Sequence, residues 1–250
     1  MTHDEKMRLL IDDKYPLAAK YDPNWMFENK MGCPCLWLCE SLTRVMDLKP
    51  GMKVLDLGCG TALTSIFLAK EFGVNVFATD LWVSASENQK RIAAANIENL
   101  VYPIHAEVHQ LPYAENFFDA AVCINSFQFY GNSEFFLGEY IAPILKNGAQ
   151  FGLAFFGPDK EFDGDVPEHM AERFWPDFYY FHSLFWMRRH FERTKLFSFV
   201  HGDDLDGDGR RVSAKWANIM EKPEMDNQGI MRWNRMVAKR NQYQADDFRK

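Results

Sequence analysis

Val54-Leu55-Asp56-Leu57-Gly58-Cys59-Gly60-Thr61-Ala62 reads as a strand running into a tight turn. Its apolar residues suit a buried strand, and Gly58 and Gly60 let the backbone turn sharply and come close to a ligand. A helix-like stretch follows from Thr61 to Phe72, then a second apolar strand from Val74 to Thr79, closed by Asp80. Strand, glycine turn, helix and strand make half of a nucleotide-binding βαβ unit. The acid at the second strand's tip can hold ribose hydroxyls.

Two kinds of ligand compete for such a turn. A dinucleotide site wants Gly or Ala at the sixth place of Gly-x-Gly-x-x-Gly, and here the bulky Leu63 stands there. The pyrophosphate in such a site also sits on the helix N-terminus. Asp56 lies inside the turn, two residues before the first glycine, where a carboxylate repels phosphate and favours an ammonium group. S-adenosylmethionine carries an ammonium and no phosphate. The run Asp56-Leu57-Gly58-Cys59-Gly60 therefore resembles motif I of the class I S-adenosylmethionine-dependent methyltransferases, small-molecule type. Ala62 stands where that family often has a third glycine.

The resemblance covers roughly residues 20 to 218. It implies a Rossmann-like, doubly wound α/β fold with a seven-stranded sheet and an antiparallel last strand. It implies S-adenosyl-L-methionine as cofactor, held by Asp56, Gly58, Cys59 and Gly60 at the turn. Asp80 would take both ribose hydroxyls, and Leu81 and Trp82 would flank the adenine. Glu107, where the family more often has Asp, would face the adenine amino group, with the Val108 amide toward the ring. Asn125 would lie near the methionine part.

The order of elements supports the same fold class. Pro34 to Met46 reads as a helix with Cys35, Leu38, Cys39, Leu42, Val45 and Met46 on one stripe. Strands are expected at Lys53–Leu57, Val74–Thr79, Val101–Ile104, Asp119–Ile124 and Gln150–Phe156. Ser84 with Glu87 suits a capping box for a helix running to about Asn96. A helix from Ser133 to Leu145 and another after Ser183 complete the alternation, which implies a parallel sheet. Lys195–Val200 and Arg211–Ala217 are expected to close it as an antiparallel pair.

Three parts are expected. Residues 1–50 form an N-terminal arm and helix over the cofactor, residues 51–220 the methyltransferase domain, and residues 221–250 a tail. An aromatic lid insert spans residues 157–182. The tail carries Arg232, Trp233, Arg235 and Arg240 and is expected to pack as a helix on the body or on a second subunit, giving a homodimer.

Composition bounds the function classes. The chain has 250 residues, 47% hydrophobic and 25% charged, which fits one globular domain with a real core. A net charge of −7 argues against a nucleic-acid partner, because phosphate binding needs a basic face. No stretch approaches the ~18 apolar residues of a membrane span, and the charged N-terminus has no signal-like segment. Five cysteines without an export signal are expected as reduced thiols in a cytoplasmic protein. Cys33, Cys35 and Cys39 are expected to pack in the core, since zinc sites use two Cys-x₂₋₄-Cys pairs and no second pair exists, so no metal is expected. Asp204-Leu205-Asp206-Gly207-Asp208-Gly209 mimics a calcium loop. Lys215 stands where its bidentate Glu belongs, so a hairpin turn is the better reading.

The remaining candidates face the acceptor. Asn125-Ser126-Phe127-Gln128-Phe129-Tyr130 leaves the fourth strand at its carboxyl end, where α/β sheets bind ligands, and Gln128 and Tyr130 point to the acceptor side. His182 stands just before a helix within the aromatic insert and is a candidate general base. Trp25, Tyr179, Phe181 and Trp186 are candidate acceptor contacts. The expected reaction is direct in-line methyl displacement onto a small-molecule acceptor, nitrogen favoured, then sulfur or oxygen. Carbon methylation or cyclopropanation of a lipid is one alternative, and a non-catalytic cofactor-binding regulator another.

Overall fold

The computed structural model describes residues 1–162, 168, 180–222 and 230–242. Seven strands among these residues form one sheet: β1 Lys53–Leu57, β2 Asn75–Asp80, β3 Val101–His105, β4 Phe118–Ile124, β5 Leu145–Pro158, β6 Phe197–Asp203 and β7 Met231–Arg240. Their spatial order is β3-β2-β1-β4-β5-β7-β6. Strands β1 to β5 pair in parallel, and β7 runs antiparallel between β5 and β6. The strand order reverses between β1 and β4, which opens a crevice at their carboxyl ends.

Alternation along each strand divides the core in two. Val54, Val76, Val122 and Ala154 face one side, where they meet Leu38, Leu42, Ile66 and Phe67. Leu55, Leu57, Cys123 and Phe151 face the other, against Phe127, Phe136 and Phe191. The helices that supply these layers are α1 His3–Leu10, α2 Pro23–Glu28, α3 Cys35–Thr43, α4 Leu63–Phe72, α5 Ala85–Ala94, α6 Leu184–Arg193 and α7 Gly209–Ile219.

Local chemistry sets several helix starts. The Thr2 hydroxyl accepts from the Glu5 amide while Glu5 accepts from the Thr2 amide, so α1 opens with a full capping box. Asp22 caps α2, with Pro23 at the first helical position. Ser84 caps α5 by accepting from the Glu87 amide at 3.3 Å, and Ser183 caps α6 by accepting from the Trp186 amide at 3.2 Å.

Several expectations are corrected. Arg211–Ala217 is helical, inside α7, because Val212, Trp216 and Ile219 fall on one buried helical stripe. The last strand is instead β7, within the tail assigned to 221–250, so a boundary at 220 cuts through the sheet. Its arginines disguised it. Arg235 is 1% exposed and donates to both Asp203 oxygens, at 2.8 and 2.9 Å, and to the Ser41 carbonyl at 2.6 Å. Arg232 pairs with Asp204 and Asp159. Arg232 and Arg235 are thus matched by carboxylates within this chain.

The expected helix Ser133–Leu145 contracts to a single π turn, Leu137–Ile141. Pro143 has no amide donor, and the Pro143 and Ile144 carbonyls accept instead from the Asn116, Phe117 and Phe118 amides. The acidic run Asp204–Gly209 joins β6 to α7 rather than two strands, with Leu205, Asp206 and Gly207 in the left-handed region. Among the described residues no group of three metal-ligating side chains exists, and no helix is long and apolar enough to cross a membrane.

Candidate functional site

A cavity of about 480 Å³ opens at the carboxyl ends of β1, β2 and β4, the switch point of the sheet. Its floor is the Gly58-Cys59-Gly60 turn. Gly58 and Gly60 have φ of 71° and 56°, a conformation that favours glycine. Space demands glycine as well. A Cβ at Gly58 would stand 2.2 Å from Ser126 Oγ, and one at Gly60 would stand 2.4 Å from Met31 Sδ. Ala62 shares the left-handed conformation at φ 59°, which accounts for a glycine preference at that place.

Asp80 ties the floor to the next strand. Its Oδ2 accepts from the Gly60 amide at 2.8 Å, and its Oδ1 accepts from the Trp82 and Val83 amides at 2.7 and 2.9 Å. A carboxylate offers about four lone-pair sites, so one remains beyond these three bonds. Leu81 and Trp82 line the mouth. Trp82 is 73% exposed, and its ring lies 6.1 Å from that of Phe129, which also lines the cavity. Two exposed aromatics beside a cavity mark a place for a flat ligand.

Glu107 and Val108 form part of the wall. Both Glu107 oxygens are engaged by His109, one with the ring at 2.7 Å and one with the amide at 2.9 Å. Burial pushes the Glu107 carboxyl up, but the His109 bonds outweigh it and hold it below its ordinary value. His109 also lines the cavity and carried no role in the sequence reading.

Asp56 is corrected. It is fully buried beneath the turn and is not part of the cavity wall. Its Oδ2 accepts from the Thr64 and Ser65 hydroxyls, each at 2.6 Å, while Oδ1 has no partner among the described residues. Burial pushes its carboxyl up to about 6, with Asp80 adding to the effect against the two hydroxyl bonds.

Asn125 stands at a junction. Its φ is 54°, and its amide donates to the Ala154 carbonyl at 2.7 Å. It lines the large cavity and also a second one of about 180 Å³. Gln128 does not reach either cavity. It is buried behind Asn125, donating to its carbonyl at 3.0 Å, so it is a supporting residue. Tyr130 lines the large cavity, but its hydroxyl lies 2.8 Å from Ser126 Oγ, and burial raises its pKa well above the usual value. That disfavours a phenolate, and so a base.

His182 is corrected too. It lines neither cavity. Its Nδ1 lies 3.0 Å from Glu161 Oε2, and its ring stacks on Trp186 with centroids 3.7 Å apart. Trp186 stacks in turn on His190, so it belongs to this column and not to the cavity. Trp25 lines neither of these; it stacks on Tyr21 beside a separate, larger cavity of about 710 Å³. Phe181 does line the second cavity. Tyr179 lies outside the described residues.

The arm supplies residues that the sequence reading placed elsewhere. The Thr61 hydroxyl donates to the Asn29 carbonyl at 2.5 Å and Arg91 Nε to Asn29 Oδ1 at 3.0 Å, which fixes the arm over the turn. Cys33 and Cys35 line the cavity with their sulfurs 2.9 Å apart. Cys39 alone of the three is purely a core residue. The helical stripe was a real signal for Cys39, but Cys33 precedes the helix, and Cys35 is its first residue.

Residues 54–148 match the family model described as a methyltransferase domain. A demethylmenaquinone methyltransferase of Bacillus mycoides (strain KBAB4) is 39% identical over 89 residues, covering 33% of this chain and 35% of that protein. The chain thus aligns with about a third of the length of the curated relatives it matches. Phosphoethanolamine N-methyltransferase 2 of Haemonchus contortus, solved with phosphomonomethylethanolamine and S-adenosylhomocysteine, is similar in structure. Its TM-score is 0.70 at 16% identity, over 95% of this chain and 61% of that one. Geranyl diphosphate C-methyltransferase of Streptomyces coelicolor A3(2) gives 0.66 at 16% identity, over 81% of this chain and 76% of that one. At such identities the likeness is one of fold.

Proposed function

On the premise that residues 54–148 belong to the class I S-adenosylmethionine-dependent methyltransferase family, we propose that the chain transfers a methyl group to a small-molecule acceptor. The observation that carries this reading is the Asp80 carboxylate at the rim of the Gly58-Cys59-Gly60 turn, beside the exposed Trp82. Asp80 has one acceptor site left for a ribose hydroxyl, and Leu81, Trp82 and Phe129 offer apolar surface to a purine. Val108 and Glu107 stand at the far wall. The turn lets the backbone come close to the amino-acid tail, and the unpartnered Asp56 Oδ1 beneath it gives that region a negative source for an ammonium. A volume of about 480 Å³ falls within the range of small-molecule sites.

When bound, S-adenosylmethionine supplies an activated methyl: the acceptor's lone pair bonds the carbon as the carbon–sulfur pair returns to sulfur, and any displaced proton passes to solvent. The chain's own task is positioning. Cys33, Cys35 and Met31 roof the cavity and exclude water, and Asn125 stands between the cofactor cavity and its neighbour. Such orientation can supply ~7–11 kcal/mol of the barrier. No described side chain at the junction is set up as a strong base, so acceptors with a free lone pair, nitrogen first, then sulfur or oxygen, suit the site better than those needing deprotonation.

Isothermal titration with S-adenosylhomocysteine and with NAD tests the reading. Binding of the former, with methyl transfer from labelled S-adenosylmethionine into metabolites of a cell extract, is expected. Retention of NAD with no response to S-adenosylhomocysteine would overturn it.

A further inference from the structure

The second cavity shares Gly32 and Asn125 with the first, so the two are neighbours across one pair of residues. Its other walls are aromatic: Phe156 from β5, Trp216 from α7, Trp233 from β7, and Phe181. The Phe156 ring centroid lies 5.0 Å from that of Trp233 and 6.1 Å from that of Phe181. Trp216 is held in place by its indole N–H, which donates to the Gly32 carbonyl at 3.1 Å. Among the described residues, one polar side chain besides Asn125 lines the cavity. Ser213 is 5% exposed, and its Oγ has no hydrogen-bond partner among those residues. A buried hydroxyl left unpaired is costly, and a ligand that bonds it removes that cost.

Among the described residues no charged side chain lines this cavity. A carboxylate or phosphate placed there would be desolvated without a counter-charge. A positive charge would meet ring faces instead, which attract cations. Resting on the methyltransferase reading above, we infer that this aromatic cavity is the acceptor subsite and that its acceptor is a small amine bearing no acidic group. The cavity's 180 Å³ corresponds to roughly six waters, enough for a small amine and little more. The amine enters as the free base. As its nitrogen gains the methyl it takes on the positive charge that the sulfonium loses, and a secondary amine then releases its proton to solvent. The aromatic walls stabilise that charge as it develops, which is where binding strength accelerates a reaction. Ser213 bonds a hydroxyl or similar group on the acceptor's far side.

Three probes of one shape test this: choline, neutral 3,3-dimethylbutan-1-ol and anionic 3,3-dimethylbutanoate, each titrated calorimetrically into the protein with and without S-adenosylhomocysteine. Choline is expected to bind at least about tenfold tighter than the alcohol, and the anion not at all. Phe181→Leu and Trp233→Leu should each weaken choline about fivefold or more while leaving S-adenosylhomocysteine affinity unchanged. Ser213→Ala, a small change that keeps the packing, should weaken choline and the alcohol alike. Equal affinities for the three probes, tighter binding of the anion, or choline binding indifferent to Phe181→Leu and Ser213→Ala would overturn the inference. Failure to bind S-adenosylhomocysteine would instead count against the methyltransferase reading, since the choline series without it still reports on the aromatic cavity.

Discussion

Asp80→Asn separates the two jobs of that carboxylate. The amide keeps one oxygen, which stays on the Trp82 and Val83 amides because two donors meet there. Its NH₂ then faces the Gly60 amide, donor against donor, and the 2.8 Å bond is lost. A buried hydrogen bond to a charged group contributes about 1.5–3 kcal/mol. In a chain of 250 residues each kcal/mol moves Tm by about 2–4 °C, so a fall of roughly 3–12 °C is expected. The cofactor should lose a comparable amount. Replacing the acceptor that faces the cavity with a donor removes the one bond left for a ribose hydroxyl, roughly 1.5–3 kcal/mol. At 1.4 kcal/mol per tenfold, affinity for S-adenosylhomocysteine should fall about 10- to 10²-fold. Isothermal titration and a thermal melt on one preparation read both effects. Affinity within threefold of the parent would refute the placement of the ribose, and an unchanged Tm would refute the structural role of the Gly60 bond.

Other substitutions follow from the same geometry. Gly58→Ala places a Cβ on Ser126 and strains a positive φ, with an expected loss of about 2–5 kcal/mol in urea unfolding and of cofactor binding in titration. Asp56 has a folded pKa of about 6 against 3.8 for the free side chain. Between those values the folded protein keeps a proton that the unfolded chain has shed, so this group lowers stability as pH rises from about 4 to 6 and adds no slope above that. Asp56→Asn keeps an oxygen for Thr64 and Ser65 and should gain about 2 kcal/mol on the parent between pH 4 and pH 7.5; a pH-independent difference in urea midpoints would contradict this. Arg235→Ala strands Asp203 and the Ser41 carbonyl, and should destabilise by about 3–5 kcal/mol. Burial pushes Asp203 up, but the Arg235 bonds prevail and hold it at about 2. Its stabilisation is present above the unfolded value near 3.8 and is lost as pH falls toward 2. Acid titration of the variant should show that loss diminished.

Much of the fold was legible because it is written in short-range patterns. The glycine turn, the apolar runs of β1, β2 and β4, and the Ser84 and Ser183 caps are local signals, and each element formed near its expected place. Part of the cavity wall was legible for the same reason. Gly58, Cys59, Gly60, Asp80, Leu81, Trp82, Glu107, Val108 and Asn125 all sit in turns at strand ends, and all line one cavity.

What depended on distant partners was not legible. Arg235 reads as part of a separate helical tail until Asp203 and Ser41 surround it, and so β7 passed for a tail while α7 passed for a strand. His182 looked like a free base until Glu161 and Trp186 engaged it.

The sequence by itself determined a doubly wound sheet with a tight glycine turn after its first strand, since glycine conformation and strand alternation are properties of neighbours along the chain. Only the tertiary structure decided which side chains meet across the acceptor cavity. Phe156, Ser213 and Trp233 are separated by tens of residues, and burial and pairing act between whatever the topology brings together.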